Sequence, residues 1–329
     1  MPKVSVIIPV YGVEKYIERC AISLFEQTLD DIEYIFINDC TKDRSIEILN
    51  EVINRYPTRK EQTRIEKMPI NSGLPAVREY GIKLATGDYI IHCDSDDWVT
   101  FDAYEKMYKK AIYTKYDMVF CNFYYTNGIH HTSSIICKLD NMPKEYYLYL
   151  LVRHIRWSVC SVMVKREILY NNNIVYPREN NFEDLVLMVQ MLCHASSFGC
   201  IQEPLYYYYN NNSSSITKSK NEEHYLKRQE QACKNTNIAI DFILKYNLRN
   251  ASNIILILKL YCRSILSPLT FYEDFRNKWY LVYPELDNEK IFLNRTIPLN
   301  LKLNYYSVKT RTFFIAKKIQ VLIKHLLNK

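Results

Sequence analysis

Asp94-Ser95-Asp96-Asp97 sets three carboxylates within four residues, directly after the apolar run 89–93. Carboxylate oxygens are the preferred ligands of hard divalent cations, and two acids at i and i+2 beyond a strand end can turn toward one ion. Such an ion suits chemistry in which a diphosphate departs, because it neutralises the roughly two to three negative charges that develop. A lone Asp-X-Asp is otherwise a turn or a helix cap, but three crowded acids repel one another and need a counter-charge. The spacing predicts Asp94 and Asp96 as ligands of Mn²⁺ or Mg²⁺, with Asp94 also on the phosphate side, and Asp97 as a cap of the following segment. Asp39, after the run 32–37, can accept a ring N–H at a pyrimidine edge, and Tyr11 offers a face for stacking. Arg78 can pair with a phosphate.

These residues need a frame that brings them together. The first 125 residues or so alternate short apolar runs with helical patterns, which predicts a mostly parallel sheet flanked by helices on both faces. Strands are expected at 4–10, 32–37, 64–68, 89–93 and 118–125, and helices at 14–27, 45–53, 74–85 and 101–113. In open parallel sheets ligands bind beyond the carboxyl ends of the strands. Pro9-Val10-Tyr11, Asn38-Asp39 and the acid cluster all fall at such ends, so one rim is expected to carry them. Further on, 130–139 is expected as a hairpin partner, 158–164 and 205–209 as strands, and 182–193 as a helix. That helix opens on Glu183-Asp184, acids suited to the positive end of a helix dipole. Beyond about residue 220 the pattern is helical, broken at Pro268, Pro284 and Pro298.

The 329 residues suit one large core plus an appendage, and 48% hydrophobic residues without low-complexity runs predict a globular chain. Tyrosine is frequent, at 29 residues; such surfaces suit sugar rings, although an AT-rich coding DNA, which also favours Asn, Lys and Ile, explains the count better. The net charge of +7 is uneven: nine basic residues follow Glu289, the last acid, and leave 34 basic against 36 acidic before it. The positive excess therefore belongs to the C-terminal tail, which points to a local anionic partner and not to a nucleic-acid-binding body. No N-terminal export signal is expected, since the chain opens on a β-type run. No apolar stretch is expected to reach the roughly 18 residues needed to span a bilayer. The ten cysteines form no CxxC pair and read as reduced thiols, mostly core fillers, which suggests a cytoplasmic setting.

The blocks VSVIIPVYGVEKYIERCAISLFEQTL, IEYIFINDCTKDRSIEIL, NSGLPAVREYGIKLATGDYI and HCDSDDW, in this order over about residues 3–98, resemble family 2 glycosyltransferases. The resemblance implies a GT-A fold, an inverting reaction and a nucleotide-sugar donor, here expected to be a UDP-sugar. By position it implies Pro9, Tyr11 and Asp39 in the nucleoside pocket, and Asn71, Gly73 and Arg78 near the base and diphosphate. Asp94 and Asp96 match the DxD pair, and Asp184 the general base that takes the acceptor hydroxyl's proton. The implied organisation is a catalytic domain at 1–218, with a nucleotide-sugar half at 1–98 and an acceptor half at 99–218, followed by a helical region at 219–329. Departures from the family pattern are Cys40 in place of a glycine, Thr41-Lys42 in place of Ser-Thr, Glu79 in place of a common asparagine, and Asn210 where Arg or His is frequent.

At the C-terminus, Ile315, Ile319, Leu322 and Leu326 form an apolar stripe with Lys317 and Lys324 opposite. A basic amphipathic helix over 312–329 suits an anionic membrane surface, and equally a terminal helix packed on the protein. The expected function is a hexosyl- or N-acetylhexosaminyltransferase acting on a glycan or lipid-linked acceptor in surface polysaccharide synthesis, cytoplasmic and peripheral to the membrane. The alternative is an inactive homologue serving as a scaffold in a glycan-assembly complex. A nucleotidyltransferase should show a glycine-rich, lysine-bearing phosphate loop after the first strand, and Tyr11-Gly12-Val13-Glu14 is not one. A dehydrogenase should show GxGxxG, which is absent.

Overall fold

The computed structural model describes residues 2–134, 139–154, 156–212 and 221–313. The chain divides into two compact units, Met1–Lys218 and Ser219–Lys329. The loop 215–217 and the stretch 314–329, on which the tail helix was expected, lie outside the described residues.

The first unit begins with β1 (Val4–Val10), α1 (Ile17–Phe25), β2 (Ile32–Asn38), α2 (Ser45–Arg55), α3 (Pro57–Lys60), β3 (Thr63–Lys67), α4 (Leu74–Leu84) and β4 (Tyr89–His92). β1 pairs in parallel with β2 and β4, and β2 with β3. All of β1 but Pro9 is buried, because helices cover both faces of the sheet and leave no position for alternation. α1 turns Ile17, Cys20, Ala21, Leu24 and Phe25 inward. α4 comes so close to the sheet that a Cβ on Gly81 would lie 2.4 Å from Ile7 Cγ2 and 2.8 Å from Ile37 Cδ1.

The unit continues with β5 (Trp98–Val99), α5 (Ala103–Thr114), β6 (Met118–Thr126), β7 (His131–Ser134), α6 (Lys144–His154), a 3₁₀ turn (Val159–Ser161), β8 (Val162–Lys165), α7 (Arg166–Tyr170), α8 (Glu183–His194) and β9 (Phe198–Tyr209). Sheet order is β3-β2-β1-β4-β8-β6-β9-β5, with β7 on β6. β8 runs antiparallel to both β4 and β6, so β6 points the same way as β4, and β9 runs parallel to β6.

Three expectations are corrected here. The strand expected at 158–164 is a 3₁₀ turn followed by β8. β9 starts seven residues before the expected Leu205, because its pairing with β6 slips around Asn122 where Gln202-Glu203-Pro204 interrupts the apolar run. α6 was not anticipated, since its tyrosine-rich sequence fits strand and helix patterns alike.

The second unit is helical, with α9 (Glu222–Lys245), α10 (Ala251–Ile265), α11 (Glu273–Leu281) and α12 (Leu299–Lys309). Asn221 caps α9 by accepting the His224 N–H at 2.8 Å. Buried Arg263 donates to the carbonyls of Val282, Tyr283 and Tyr280 at 2.8, 2.8 and 3.1 Å, and its guanidinium lies 4.6 Å from the Trp279 ring. Contrary to expectation, one segment among the described residues, Ala251–Leu269, is long and apolar enough by composition to cross a membrane. More than half of it is buried in the protein, with Ile254, Ile257, Leu258 and Cys262 inside, which is the packing of a core helix. Eight described cysteines are free thiols and six of those are buried, as expected of core fillers, whereas Cys200 is disulfide-bonded.

Candidate active site

The parallel register puts the carboxyl ends of β1, β2 and β4 on one rim. Tyr11 follows β1 and is 55% exposed, leaving its ring available. Pro9, within β1 opposite Ile37, is part-exposed. Asp39 follows β2 and is buried; its carboxylate accepts the N–H groups of Ser72 and Gly73 at 2.7 and 2.9 Å, and its carbonyl accepts from Asn71 Nδ2 at 3.0 Å. Gly73 sits at φ +82°, and a Cβ there would meet Asn180 Oδ1 at 2.9 Å. Asn71, Gly73 and Asp39 thus form one loop contact. Cys40, at the position where the family has glycine, takes the left-handed φ of +57°, and its Sγ lies 3.2 Å from the Met68 carbonyl oxygen.

After β4 the chain turns sharply, the Asp97 N–H donating to the Asp94 carbonyl at 3.0 Å. The three acids then part. Asp97 is buried and accepts the Tyr206 hydroxyl at 2.5 Å and the Tyr209 N–H at 2.7 Å, which ties the turn to β9. Burial, then the charges of Asp96 and Asp94, push its carboxyl well up. Asp96 is part-exposed and accepts from Asn212 Nδ2 at 2.8 Å. Its carboxyl is raised by burial and next by Asp94. Arg19 donates to the Asp96 carbonyl at 3.0 Å, its guanidinium held 3.7 Å from the Trp98 ring and 4.6 Å from Tyr209. Neither Arg19 nor Asn212 was singled out by sequence reasoning, since nothing local marks either one.

Arg78 departs from expectation. The residue is 2% exposed and does not face an open phosphate site; three carboxylates enclose it. Nη2 donates to Asp94 at 2.8 Å, and Nη1 to Glu183 at 2.5 Å and to Asp184. The fork of α4's arginine thereby joins the acid after β4 to the acid pair that opens α8. Burial pushes Asp184 up, with Arg78 working against it, and pushes Glu183 well up for the same first reason. Glu183 was read only as a dipole-favourable helix start; its place in this cluster needs the fold. Arg78 Nε and both ring nitrogens of His92 are buried without a hydrogen-bond partner among the described residues. Burial and then the Arg78 charge hold the His92 imidazole well below its ordinary value, hence neutral.

The fit of a divalent cation can be tested on the acids themselves. Burial and then Asp94 raise the Asp96 carboxyl, which among the described residues has an amide but no cation on its oxygens, and this suits an added positive charge. Among the described residues no three His, Cys, Asp or Glu side chains converge as a metal cage. The residues therefore fit an ion bound through two carboxylates at most, with the rest of its ligands from phosphate and water.

The sheet is mixed and not mostly parallel as expected, with four parallel and four antiparallel strand pairings, and together with its flanking helices it forms an architecture of the GT-A type. Staphylococcus aureus TarS 1–349 in complex with UDP-GlcNAc shares it at a TM-score of 0.60 and 16% identity, over 98% of this chain and 92% of that one. A Pyrobaculum calidifontis mannosyltransferase, solved with GDP-Man and Mn²⁺, does so at a TM-score of 0.53 and 13% identity, over 88% of each chain. Residues 5–163 match the family model described as Glycosyl transferase family 2. The chain is similar to the uncharacterized glycosyltransferase EpsJ of Bacillus subtilis, 32% identical over 214 residues, which are 63% of this chain and 60% of that protein. The chain spans about 60% of the length of the first curated relatives it matches.

Proposed function

We propose that the chain is an inverting glycosyltransferase that moves a sugar from a nucleotide-diphosphate donor, a UDP-sugar, to a glycan or lipid-linked acceptor of a surface polysaccharide. The observation that carries this reading is the shared counter-ion: Arg78 holds Asp94 and Asp184 in one cluster at the rim. Residues 1–98 serve the donor and 99–218 the acceptor.

Tyr11 stacks on the base and the Asp39 carboxylate, beside Pro9, accepts the ring N–H through a lone pair left over from its two backbone bonds. Asn71 and Gly73 keep that loop in place. Asp94 and Asp96 would hold a divalent cation, Mn²⁺ or Mg²⁺, which supplies charge neutralisation at the departing diphosphate. Asp184 takes the proton of the acceptor hydroxyl as its oxygen forms the bond to the anomeric carbon. The bond from that carbon to the phosphate oxygen breaks on the opposite side, and the diphosphate leaves with the electron pair. A carboxyl pushed up by burial is a stronger base than an exposed one, which suits this step. Arg78 is a positioning residue that fixes both acids. The basic C-terminal stretch supports a setting at the cytoplasmic face of a membrane, where a lipid-linked acceptor would lie.

The test is a panel of nucleotide diphosphates and nucleotide sugars, read by thermal shift and by donor hydrolysis with Mn²⁺ or Mg²⁺. UDP and one UDP-sugar are expected to stabilise the protein in a metal-dependent way, and Asp96→Ala and Asp184→Ala to abolish turnover. No stabilisation by any nucleotide, or full turnover in either variant, overturns the reading. Donor binding without any transfer or hydrolysis would favour the scaffold alternative.

A further inference from the structure

Arg156 precedes Trp157 in the segment between α6 and β8. Its guanidinium lies 5.4 Å from the ring centres of both Phe123 and Tyr125. Nε and Nη1 are buried and have no hydrogen-bond partner, and no carboxylate pairs with the group among the described residues. The ordinary condition of a guanidinium withdrawn from water is to face an acid or a row of carbonyls, as Arg59, Arg78 and Arg263 do. Arg156 instead has two aromatic faces, which stabilise a cation without using its hydrogen-bond donors.

The position of these rings is informative. Phe123 and Tyr125 lie in the carboxyl-terminal half of β6, which points toward the same rim as β4. In register with them on β9 are Tyr206 and Tyr208. The Tyr206 hydroxyl bonds Asp97, and the Tyr208 phenol is raised by burial and then by Asp97, Asp94 and Asp96, so this face of the sheet looks at the acid cluster. On the other side, Trp157 packs edge-on against Phe182 at 5.1 Å, and Phe182 immediately precedes Glu183-Asp184. Arg156 is therefore flanked by the β9 face of the acid cluster and by the segment that positions the proposed base. The local field is positive: His154 is held low by burial, then by Arg156 and Arg153.

We propose that Arg156 recognises an anionic group, a phosphate or a carboxylate, carried by the acceptor. Arg156, a half-buried residue, supplies charge-assisted hydrogen bonds to that group while the two rings fix the plane of its guanidinium. The donor diphosphate is assigned to Asp94 and Asp96 through the cation, and Arg156 belongs to the elements between β6 and α8, on the acceptor side. The inference rests on the glycosyltransferase reading above, and it narrows the acceptor to an acidic glycan, a phosphorylated polyol chain or a phosphate-bearing lipid carrier.

The experiment uses the full chain with UDP and Mn²⁺ and titrates matched pairs that differ only in charge: glucose against glucuronate, and glycerol against glycerol 1-phosphate, read by calorimetry or ligand-observed NMR. The parent is expected to bind the anionic member at least about tenfold more tightly than its neutral twin. Arg156→Gln should erase the preference and Arg156→Lys retain part of it, while all three proteins bind UDP within about twofold of one another, which also shows that they are folded. Absence of a preference in the parent, or its persistence in Arg156→Gln, overturns the proposal. Weakened UDP binding in Arg156→Gln would place the guanidinium on the donor instead and overturn it as well. Failure of UDP to bind the parent would overturn the donor reading alone, and the same titrations without nucleotide would still decide Arg156.

Discussion

Asp94 and Asp184 share a counter-ion: one nitrogen of Arg78 reaches Asp94 at 2.8 Å and the other reaches Asp184. One acid follows β4 and the other opens α8, and nothing else in the local sequence ties them. Glu183 completes the cluster, so three acids surround one cation with little water to screen them. The arrangement holds both carboxylates in place and leaves the cluster short of positive charge.

Arg78→Gln leaves these three carboxylates without their cation. Removing one partner of a buried ion pair costs about 3–5 kcal/mol, which in a unit of this size corresponds to a melting temperature lower by roughly 10 °C. Arg78→Lys keeps the charge but not the fork and should fall between the two. Both variants are expected to lose transferase activity. Calorimetry of the three proteins checks this, and a melting temperature for Arg78→Gln within about 2 °C of the parent would contradict it.

The pH dependence of turnover follows from Asp184. A general base works ionised, and burial raises this carboxyl above its ordinary value of 3.8. As pH falls, activity should therefore decline at a higher pH than an exposed aspartate would give. The neighbouring Glu183 is one of the influences that lower the Asp184 carboxyl, so Glu183→Ala should move the acid limb of kcat to higher pH still. A midpoint at the ordinary aspartate value, or a shift to lower pH in Glu183→Ala, would contradict the assignment.

The rim was legible because β1, β2 and β4 read as apolar runs ending in Tyr11, Asp39 and Asp94, and parallel strands must end together. Asp97 was expected to cap the following segment and instead accepts from Tyr206 and the Tyr209 backbone, partners that depend on β9 standing two strands from β8, an order that no local pattern encodes. Arg78 was read as a phosphate ligand because an arginine after a loop near an acid cluster could serve that role. Its enclosure by Glu183 and Asp184 comes from α8 packing across the chain. Arg19 of α1 is a cation held between rings of β5 and β9, Trp98 and Tyr209, and such contacts leave no periodic trace.

Gly73 and Cys40 make opposite predictions at left-handed positions. Gly73→Ala places a Cβ at φ +82° and 2.9 Å from Asn180 Oδ1, so it should cost about 1–2 kcal/mol and weaken nucleotide binding through the Asp39 contact. Cys40 already bears that strain at φ +57°. Cys40→Gly removes it at some cost in unfolded-state entropy, and is expected to be neutral or stabilising by up to about 1 kcal/mol. Urea midpoints for the pair decide this; an unaffected Gly73→Ala would show that the loop is not held as described.

Tyr206→Phe tests the anchoring of the acid turn. The hydroxyl donates to Asp97 at 2.5 Å and accepts the Asp94 N–H at 3.2 Å, and both partners lose it together. Leaving buried polar groups unmet costs about 1–3 kcal/mol. The loss has a signed pH dependence. Asp97 is already raised well above 3.8, chiefly by burial, and the Tyr206 bond is one of the factors that lowers it, so the variant raises it further. A carboxyl that binds its proton more readily in the folded than in the unfolded state loses stability as pH rises from its unfolded value toward its folded one. The deficit of Tyr206→Phe relative to the parent should therefore be smaller near pH 5 than near pH 8 in paired thermal melts. A deficit that grows toward acid would mean that Asp97 is not the group the hydroxyl serves.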